Sequence, residues 1–191
     1  MRSEDLFSAM QDVPIPSFLS YFTSAISSAY RLELLSSYIV EQEINAIEQF
    51  RKNPSLRPPD FNQDWTSLIS GLKARRVKIQ RVRLVDEPIS EYLKFEIKWG
   101  YTSNITAGEE IRIIERSAFD DIARIVPITR DFWLFDEKKC VMLEYDFVGR
   151  FLGLKALPED TVDQYVQLKR LTLERSNHLQ VSKYWRSLVN N

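Results

Sequence analysis

Several segments of this sequence alternate charged and apolar residues, and this alternation constrains the fold more than any other feature. A period of two is typical of a β-strand, because successive side chains of a strand point to opposite faces of a sheet. Residues 107–112 read AGEEIR and residues 131–136 read DFWLFD, so both place carboxylates beside apolar side chains. The sequence therefore predicts strands that carry charged side chains at their ends or on one face.

Strand patterns recur along the chain and predict a mainly antiparallel sheet of five or six strands. Residues 28–34 and 110–115 alternate, and residues 132–135 are apolar on both faces, as in a central strand. Residues 132–135, 141–147 and 151–157 follow one another with short turns between them. These three runs predict a C-terminal antiparallel meander.

One strand pattern changes phase. Val77 and Ile79 have one parity, whereas Val82 and Leu84 have the other. Such a change indicates either a β-bulge or a strand that begins late. We favour the late start.

Helical spacing of apolar residues predicts helices between the strands. Residues 41–52 and 64–72 both show an amphipathic helical pattern. Residues 89–101 fit a strand or a helix, and the preceding acidic residues and Pro88 favour a helix that starts there. We expect the helices to pack on one face of the sheet and at its ends.

The length of 191 residues fits one α+β domain that spans residues 1–191. Residues 1–20 are expected to form an N-terminal helical extension, in which Pro14 and Pro16 separate two short helices. Residues 159–191 are expected to form C-terminal helices.

The composition excludes several classes of site. The chain has one Cys and one His, Cys140 and His178, so a single chain cannot build a zinc site from these residue types. We expect no cofactor and no metal. The net charge of −1 provides no general attraction to nucleic acid. The single Cys, the lack of a signal peptide pattern and the lack of a long apolar run predict a cytoplasmic protein with no membrane contact.

Four segments carry a resemblance to a known family: SAYRLE at 28–33, RVRLV running into Glu87 and Pro88, AGEEIR and DFWLFD. Together they resemble a family of bacterial proteins, frequent in actinomycetes, that is known only as domain of unknown function DUF6879. The likeness extends from about residue 20 to about residue 160. The family has no established activity, so the resemblance implies little chemistry. Its members are often encoded beside helix-turn-helix regulators, which implies a regulatory protein partner.

The main candidate site is a set of polar and aromatic residues on or beside the strands, where cross-strand neighbours could meet. Arginine binds carboxylate or phosphate groups through paired hydrogen bonds, so the set could recognise a small anion. The candidates are Arg31, Glu33, Arg81, Arg83, Glu109, Arg112, Trp133 and Asp136. The charged members could instead form structural arginine–glutamate pairs on a solvated or helix-covered face, and Trp133 could belong to the core.

Two further sets could act on nucleic acid. A basic run could follow a phosphate backbone, and its candidates are Lys73, Arg75, Arg76 and Lys78. Converging carboxylates could hold Mg²⁺ for phosphodiester chemistry, and the candidates are Glu109, Glu110, Asp131 and Asp136, with Glu144 or Asp146. Both sets are equally compatible with a solvated surface.

The leading hypothesis is therefore a non-enzymatic cytoplasmic binding or regulatory module. It would recognise a protein partner, such as a helix-turn-helix regulator, or a small anionic ligand through an Arg/Glu-lined sheet face. The alternative is a nucleic-acid-processing or toxin-type enzyme that uses Asp/Glu with Mg²⁺, or Arg-based RNA cleavage.

Overall fold

A single mixed sheet of eight strands organises the protein, whose computed structural model describes residues 10–189. The strands are β1 (Gln11–Asp12), β2 (Ser28–Glu33), β3 (Lys78–Val85), β4 (Glu110–Glu115), β5 (Phe132–Phe135), β6 (Lys139–Tyr145), β7 (Phe151–Ala156) and β8 (Asn177–His178). Their spatial order is β1-β7-β6-β5-β2-β3-β4-β8. The central strands β2, β3 and β4 are parallel, and the other pairs are antiparallel.

Helices connect the strands and cover them. They are α1 (Ile15–Ser24), α2 (Ile44–Lys52), α3 (Gln63–Ala74), α4 (Glu91–Phe95), α5 (Thr102–Ala107), α6 (Arg116–Ala123), α7 (Val162–Arg175) and α8 (Lys183–Leu188). A π-helical segment, Glu96–Tyr101, joins α4 to α5, so residues 91–107 form one continuous helix, here called the covering helix. No described helix is both long and apolar enough to span a membrane.

The prediction of a mainly antiparallel sheet with five or six strands is wrong. Parallel neighbours need long crossover connections, and here residues 34–77 link β2 to β3 while residues 86–109 link β3 to β4. The two outermost strands, β1 and β8, have two residues each. A strand this short shows no alternation in sequence, so the pattern could not predict it. The meander of β5, β6 and β7 is confirmed.

Helices also lie on both faces of the sheet, rather than on one face and at the ends. On one face α6 and α7 pack against Tyr30, Leu32 and Val82. On the other face α1 and α3 pack against the apolar ends of the sheet, and the covering helix lies over its centre. The parallel central strands are therefore buried on both sides, as is usual for parallel sheets.

Strand β3 contains neither a bulge nor a late start. It begins at Lys78 and pairs with β2 and β4 in continuous register. Ile79, Arg81 and Arg83 share one face, and Val82 and Leu84 share the other. The apparent change of phase arises because two arginines occupy buried positions where the pattern predicts apolar residues.

The remaining predictions concern the ends of the chain and the covering helix. Residues 89–101 are confirmed as helical from Glu91 onwards, with Ser90 as the N-cap that accepts a hydrogen bond from Leu93. The second N-terminal helix is α1, which begins after Pro14. The first one was predicted on residues that lie mostly outside the described range, and residues 11–12 form strand β1 instead.

Asp136 occupies a tight turn after β5 and has a positive φ of 53°. Its carboxylate accepts hydrogen bonds from the backbone N–H groups of Ile26, Ser27 and Ser28 and from the Ser27 hydroxyl. Partial burial opposes ionisation, but these hydrogen bonds outweigh burial and lower the pKa of Asp136 to about 2. This candidate site residue therefore joins two chain segments and lies away from the arginines.

We expect Asp136→Asn to lower the free energy of unfolding by about 1–2 kcal/mol at pH 7, the lower part of the range for hydrogen bonds to charged groups because the turn is partly exposed. The pKa is depressed from an ordinary 3.8, so this stabilisation is present above about pH 4 and is lost as the pH falls towards 2. Urea denaturation at several pH values measures both effects. Lys138→Ala, in the same turn, is the control, and equal pH profiles for wild type and Asp136→Asn would contradict the assignment.

Candidate functional site

Four charged residues lie side by side on the sheet face beneath the covering helix. Parallel pairing places Arg31 of β2 next to Arg81 of β3, and Glu33 next to Arg83. Their exposed fractions are only 4%, 8%, 7% and 0%, respectively. Ionised side chains are rarely buried to this degree unless they are paired, so the contacts among them decide what the site can do.

Glu33 is the carboxylate that holds the arginines together. Its oxygens lie 2.5 Å from Nη1 of Arg81, 3.5 Å from Nε of Arg31 and 3.8 Å from Nη1 of Arg83. The hydroxyl of Tyr101, on the covering helix, also donates a hydrogen bond to Glu33 at 2.9 Å. Burial opposes ionisation of Glu33, but Arg81, Arg31 and Arg83 outweigh it and lower its pKa to about 2.

Two more carboxylates complete the charge balance. Glu109 accepts a hydrogen bond from Nε of Arg81 at 2.8 Å, and Asp131 accepts one from Nη2 of Arg31 at 3.0 Å. Gly108, whose φ is +124°, ends the covering helix and turns the chain so that Glu109 enters the site. We call Arg31, Glu33, Arg81, Arg83, Glu109 and Asp131 the buried ion cluster, which contains three positive and three negative groups.

Arg83 differs from the other two arginines of the buried ion cluster. Its Nε, Nη1 and Nη2 are buried, and none of them donates a hydrogen bond to any acceptor within residues 10–189. Its Cζ lies 4.8 Å from the ring centroid of Tyr38, and its nearest charge, Glu33, is beyond hydrogen-bond distance. A buried guanidinium without hydrogen bonds is costly, and no acceptor among residues 10–189 offsets this cost for Arg83.

Tyr38 and Tyr92 separate the cluster from a surface pocket. The hydroxyl of Tyr38 donates to Asp131 at 2.5 Å, and the hydroxyl of Tyr92 donates to Glu43 at 2.9 Å. The two rings meet edge to face with centroids 5.9 Å apart. Each tyrosine therefore has one side towards the pocket and a hydroxyl bound to a carboxylate.

The pocket has a volume of about 330 Å³ and lies between α2, the loop after β2 and the start of α4. We call it the α2 pocket. Its lining includes Tyr38, Val40, Ile44, Ile47, Arg51 and Tyr92. The volume is at the small end of the range for ligand sites, and the lining mixes these apolar side chains with the polar groups of Ser37, Glu48, Arg51, Ser90 and Glu91.

Two further carboxyl groups, Glu43 and Glu96, lie next to the cluster. Burial raises the pKa of both carboxyl groups. Neighbouring carboxylates raise these pKa values further, since Glu33 lies near Glu43, and both Glu43 and Glu33 lie near Glu96. Glu96 opens the π-helical segment, where a β-carbon at Gly100 would come within 3.0 Å of its Oε1. π-Helical turns are often found at functional sites, and this one places Glu96 and Tyr101 over the charged strands.

Arg112 does not belong to the cluster, because it points to the opposite face of the sheet. It contacts Ser176, His178 and the carbonyl of Leu173, and it pairs with Glu110 at 3.3 Å. A strand places alternate residues on opposite faces, and residue 112 pairs with Val82 rather than with an arginine of β3.

Trp133 lies beside Arg31 on the cluster face but is 5% exposed. Its ring packs edge to face on Phe22, with centroids 4.8 Å apart, and Cζ of Arg31 lies 5.8 Å from its centroid. Trp133 is thus part of the core that borders the charged residues, and it does not reach the α2 pocket.

All four residues of the predicted basic run, Lys73, Arg75, Arg76 and Lys78, are exposed, and two of them also bind partners within the protein. Arg75 donates hydrogen bonds to the carbonyls of Phe22 and Thr23 at the end of α1, and Lys78 pairs with Glu110 at 3.2 Å. Of the candidate carboxylates, Glu109 and Asp131 bind arginines of the buried ion cluster, and no group of three or more Asp, Glu, His or Cys side chains among the described residues is arranged to hold a metal ion.

Sequence reasoning missed the residues that connect the cluster to the surface. Tyr38, Glu43, Tyr92 and Glu96 lie outside the strands, on the segments that follow β2 and β3, and belong to no charged alternation. The covering helix brings two of them over the sheet, and the segment before α2 brings the other two. A useful signal was present in β3, since Arg81 and Arg83 occupy the strand face that also carries Ile79 and Val85.

We expect Arg81→Met to lower the free energy of unfolding by about 3–5 kcal/mol, because it leaves Glu33 and Glu109 buried without their closest partner. Arg83→Met is the matched variant and should change stability by less than about 1 kcal/mol, since it removes a side chain without hydrogen bonds and Glu33 keeps Arg81 and Tyr101. Urea denaturation of both variants tests this contrast. Similar losses in the two would show that Arg83 is a structural ion pair.

The comparisons with known proteins point to one family. The model of the family described as domain of unknown function (DUF6879) matches residues 16–185, which contain the whole cluster and the α2 pocket. No curated protein matches the chain. Because the match spans most of the chain, from α1 to α8, this protein belongs to the DUF6879 family.

Proposed function

We propose that this protein is a non-enzymatic cytoplasmic binding module that takes a small anionic ligand in the α2 pocket and binds its charged group to Arg83. The observation that carries this proposal is the fully buried guanidinium with three nitrogens that donate no hydrogen bond within the described chain. An anion would supply the missing acceptors, and paired hydrogen bonds from a guanidinium to an anion are among the strongest in proteins.

The route from the α2 pocket to Arg83 passes Tyr38. This residue lines the pocket, and its ring also lies over the Arg83 guanidinium. For an anion to reach Arg83, the ring must move, which breaks the hydrogen bond from Tyr38 to Asp131. Binding would therefore alter the segment between β2 and α2.

The movement of this segment offers a way to signal binding. Ile39, next to Tyr38, donates its backbone N–H to the carbonyl of Gly149 in the turn between β6 and β7. A shift of Tyr38 would therefore reach the tip of this hairpin. We propose that ligand binding changes the affinity for a protein partner, for which a helix-turn-helix regulator is the candidate.

A panel of small organic acids, phosphate and sulfate, screened by thermal unfolding, tests the proposal. At 100 times its Kd, a ligand adds about 2.7 kcal/mol of stability, which corresponds to a Tm increase of about 5–10 °C for a domain of this size. At least one anion should produce this shift in the wild type, and Arg83→Met should abolish it.

Ile44→Trp is the second variant, because Ile44 lines the α2 pocket and is half exposed, so a larger side chain can fill the pocket without disturbing the cluster. It should also abolish the shift, whereas the surface variant Arg124→Ala should retain it. The proposal fails if no anion stabilises the wild type, or if the pocket variants respond as the wild type does.

A second candidate function, the binding of a protein partner by the hairpin tip alone, rests on an exposed apolar patch. Phe147 is fully exposed, and Leu152 and Val148 are 64% and 45% exposed. Among the described residues, β1 and Val13 pair with β7 from Leu154 to Ala156, so the start of β7 forms a sheet edge without a strand partner there. Exposed apolar residues on a free edge are typical of partner-binding sites.

A photo-crosslinking amino acid at position 152 tests this second candidate. We expect crosslinks to one protein partner in cells that produce the chain, and fewer crosslinks when Phe147 is changed to Ser, because the patch loses its most exposed ring. The same probe at position 124, on the exposed end of α6, is the control. Equal crosslinking from both positions would argue against a specific surface.

The nucleic-acid-processing alternative has less support. Arg75 and Lys78 already bind partners within the protein, Glu109 and Asp131 bind arginines of the buried ion cluster, and Asp136 and Asp146 accept hydrogen bonds in turns. The binding of an anionic ligand is therefore the proposed function for which the described residues offer a binding group, Arg83.

A further inference from the structure

We infer that the ligand of the α2 pocket is a small acid with one carboxylate and an apolar, planar body, rather than a phosphate or a nucleotide. This inference rests on the proposed function, because it specifies the chemical class of the anion that Arg83 binds. Three features carry it: the groups that surround Arg83, the walls of the pocket and the charges at its rim.

The surroundings of Arg83 favour a single negative charge. The buried ion cluster contains three arginines and three carboxylates, so its charges balance without a ligand. Glu96 and Glu33 both interact electrostatically with Arg83, and Glu43 lies close to Glu96. A doubly charged phosphate would bring its second charge close to these carboxyl groups. One planar carboxylate matches the fork of the guanidinium and adds the least repulsion.

The walls of the pocket favour an apolar body. The aliphatic side chains of Val40, Ile44 and Ile47 line the pocket together with Tyr38 and Tyr92. Ile44 is 48% exposed, so a ligand that covers it removes apolar surface from water. Aromatic rings pack best on aromatic side chains in offset or edge-to-face geometry, which a planar ligand can adopt on Tyr92 when the Tyr38 ring moves aside to expose Arg83.

The rim of the pocket offers little to a phosphate. Within the described lining, the cationic group is Arg51, and it already binds Glu91 with Nη2 2.7 Å from the carboxylate. Glu48 adds another negative charge at the same rim. Phosphate sites generally combine several cationic or backbone N–H donors, whereas this rim is acidic on balance. The charged end of the ligand therefore points inward to Arg83.

Isothermal titration calorimetry with four probes tests the inference: phenylacetate, its neutral analogue phenylacetamide, phenyl phosphate and inorganic phosphate. Phenylacetate should bind the wild type about 10–100-fold more tightly than phenylacetamide, since a charge-assisted hydrogen bond contributes about 1.5–3 kcal/mol. Arg83→Met should remove this preference. Arg51→Met should leave it within about 3-fold of the wild-type value, and Ile44→Trp, which leaves the cluster unchanged, should weaken all binding.

Each other outcome overturns the inference. Tighter binding of phenyl phosphate or inorganic phosphate that depends on Arg83 overturns the carboxylate class but supports an anion site. A preference that depends on Arg51 instead of Arg83 places the anion at the rim and overturns both the inference and the role of Arg83. If none of the four probes binds, the inference fails, and the proposed function is then decided by the wider anion panel.

Discussion

The shared carboxylate of Glu33 is the interaction on which the centre of the structure depends. Parallel pairing puts Arg31 directly beside Arg81, an arrangement that is unfavourable for like charges unless a negative group lies between them. Glu33 contacts both, and it also binds the Tyr101 hydroxyl from the covering helix. One side chain thus joins two strands to the helix above them, and because burial opposes its charge, it is stable only with all of these partners in place.

The three arginines of the buried ion cluster differ in whether a carboxylate binds them. Arg31 and Arg81 each have a carboxylate within hydrogen-bond distance, whereas Arg83 has Glu33 only at 3.8 Å and the Tyr38 ring above it. Within residues 10–189, Arg83 is therefore a desolvated cation with no satisfied nitrogen, whereas Arg31 has one unsatisfied nitrogen, Nη1. Proteins seldom retain such a group for stability, since apolar residues fill buried space at lower cost, and this is the physical reason for the binding role that we propose for Arg83.

Sequence patterns located much of this site but not its environment. Alternation correctly placed Arg31, Glu33, Arg81 and Arg83 on strands and on one face, because the period of two depends only on local geometry. The order of the strands, the parallel trio and the burial of that face depend on crossover helices and could not be deduced from alternation. Arg112 was misplaced because its face depends on the pairing of β4, and Asp136 because its turn bonds depend on chain segments 110 residues apart.

The charged face of β3 also determines how the central strands align. A shift of β3 by one residue relative to β2 would carry Arg81 and Arg83 into the apolar core formed by Tyr30 and Leu32. A shift of two residues would bring Arg83 next to Arg31 and would leave Glu33 next to Val85. Apolar side chains alone would distinguish these alignments only weakly. The buried charges therefore favour the native register during folding, because each shifted register would leave buried charges without opposite partners.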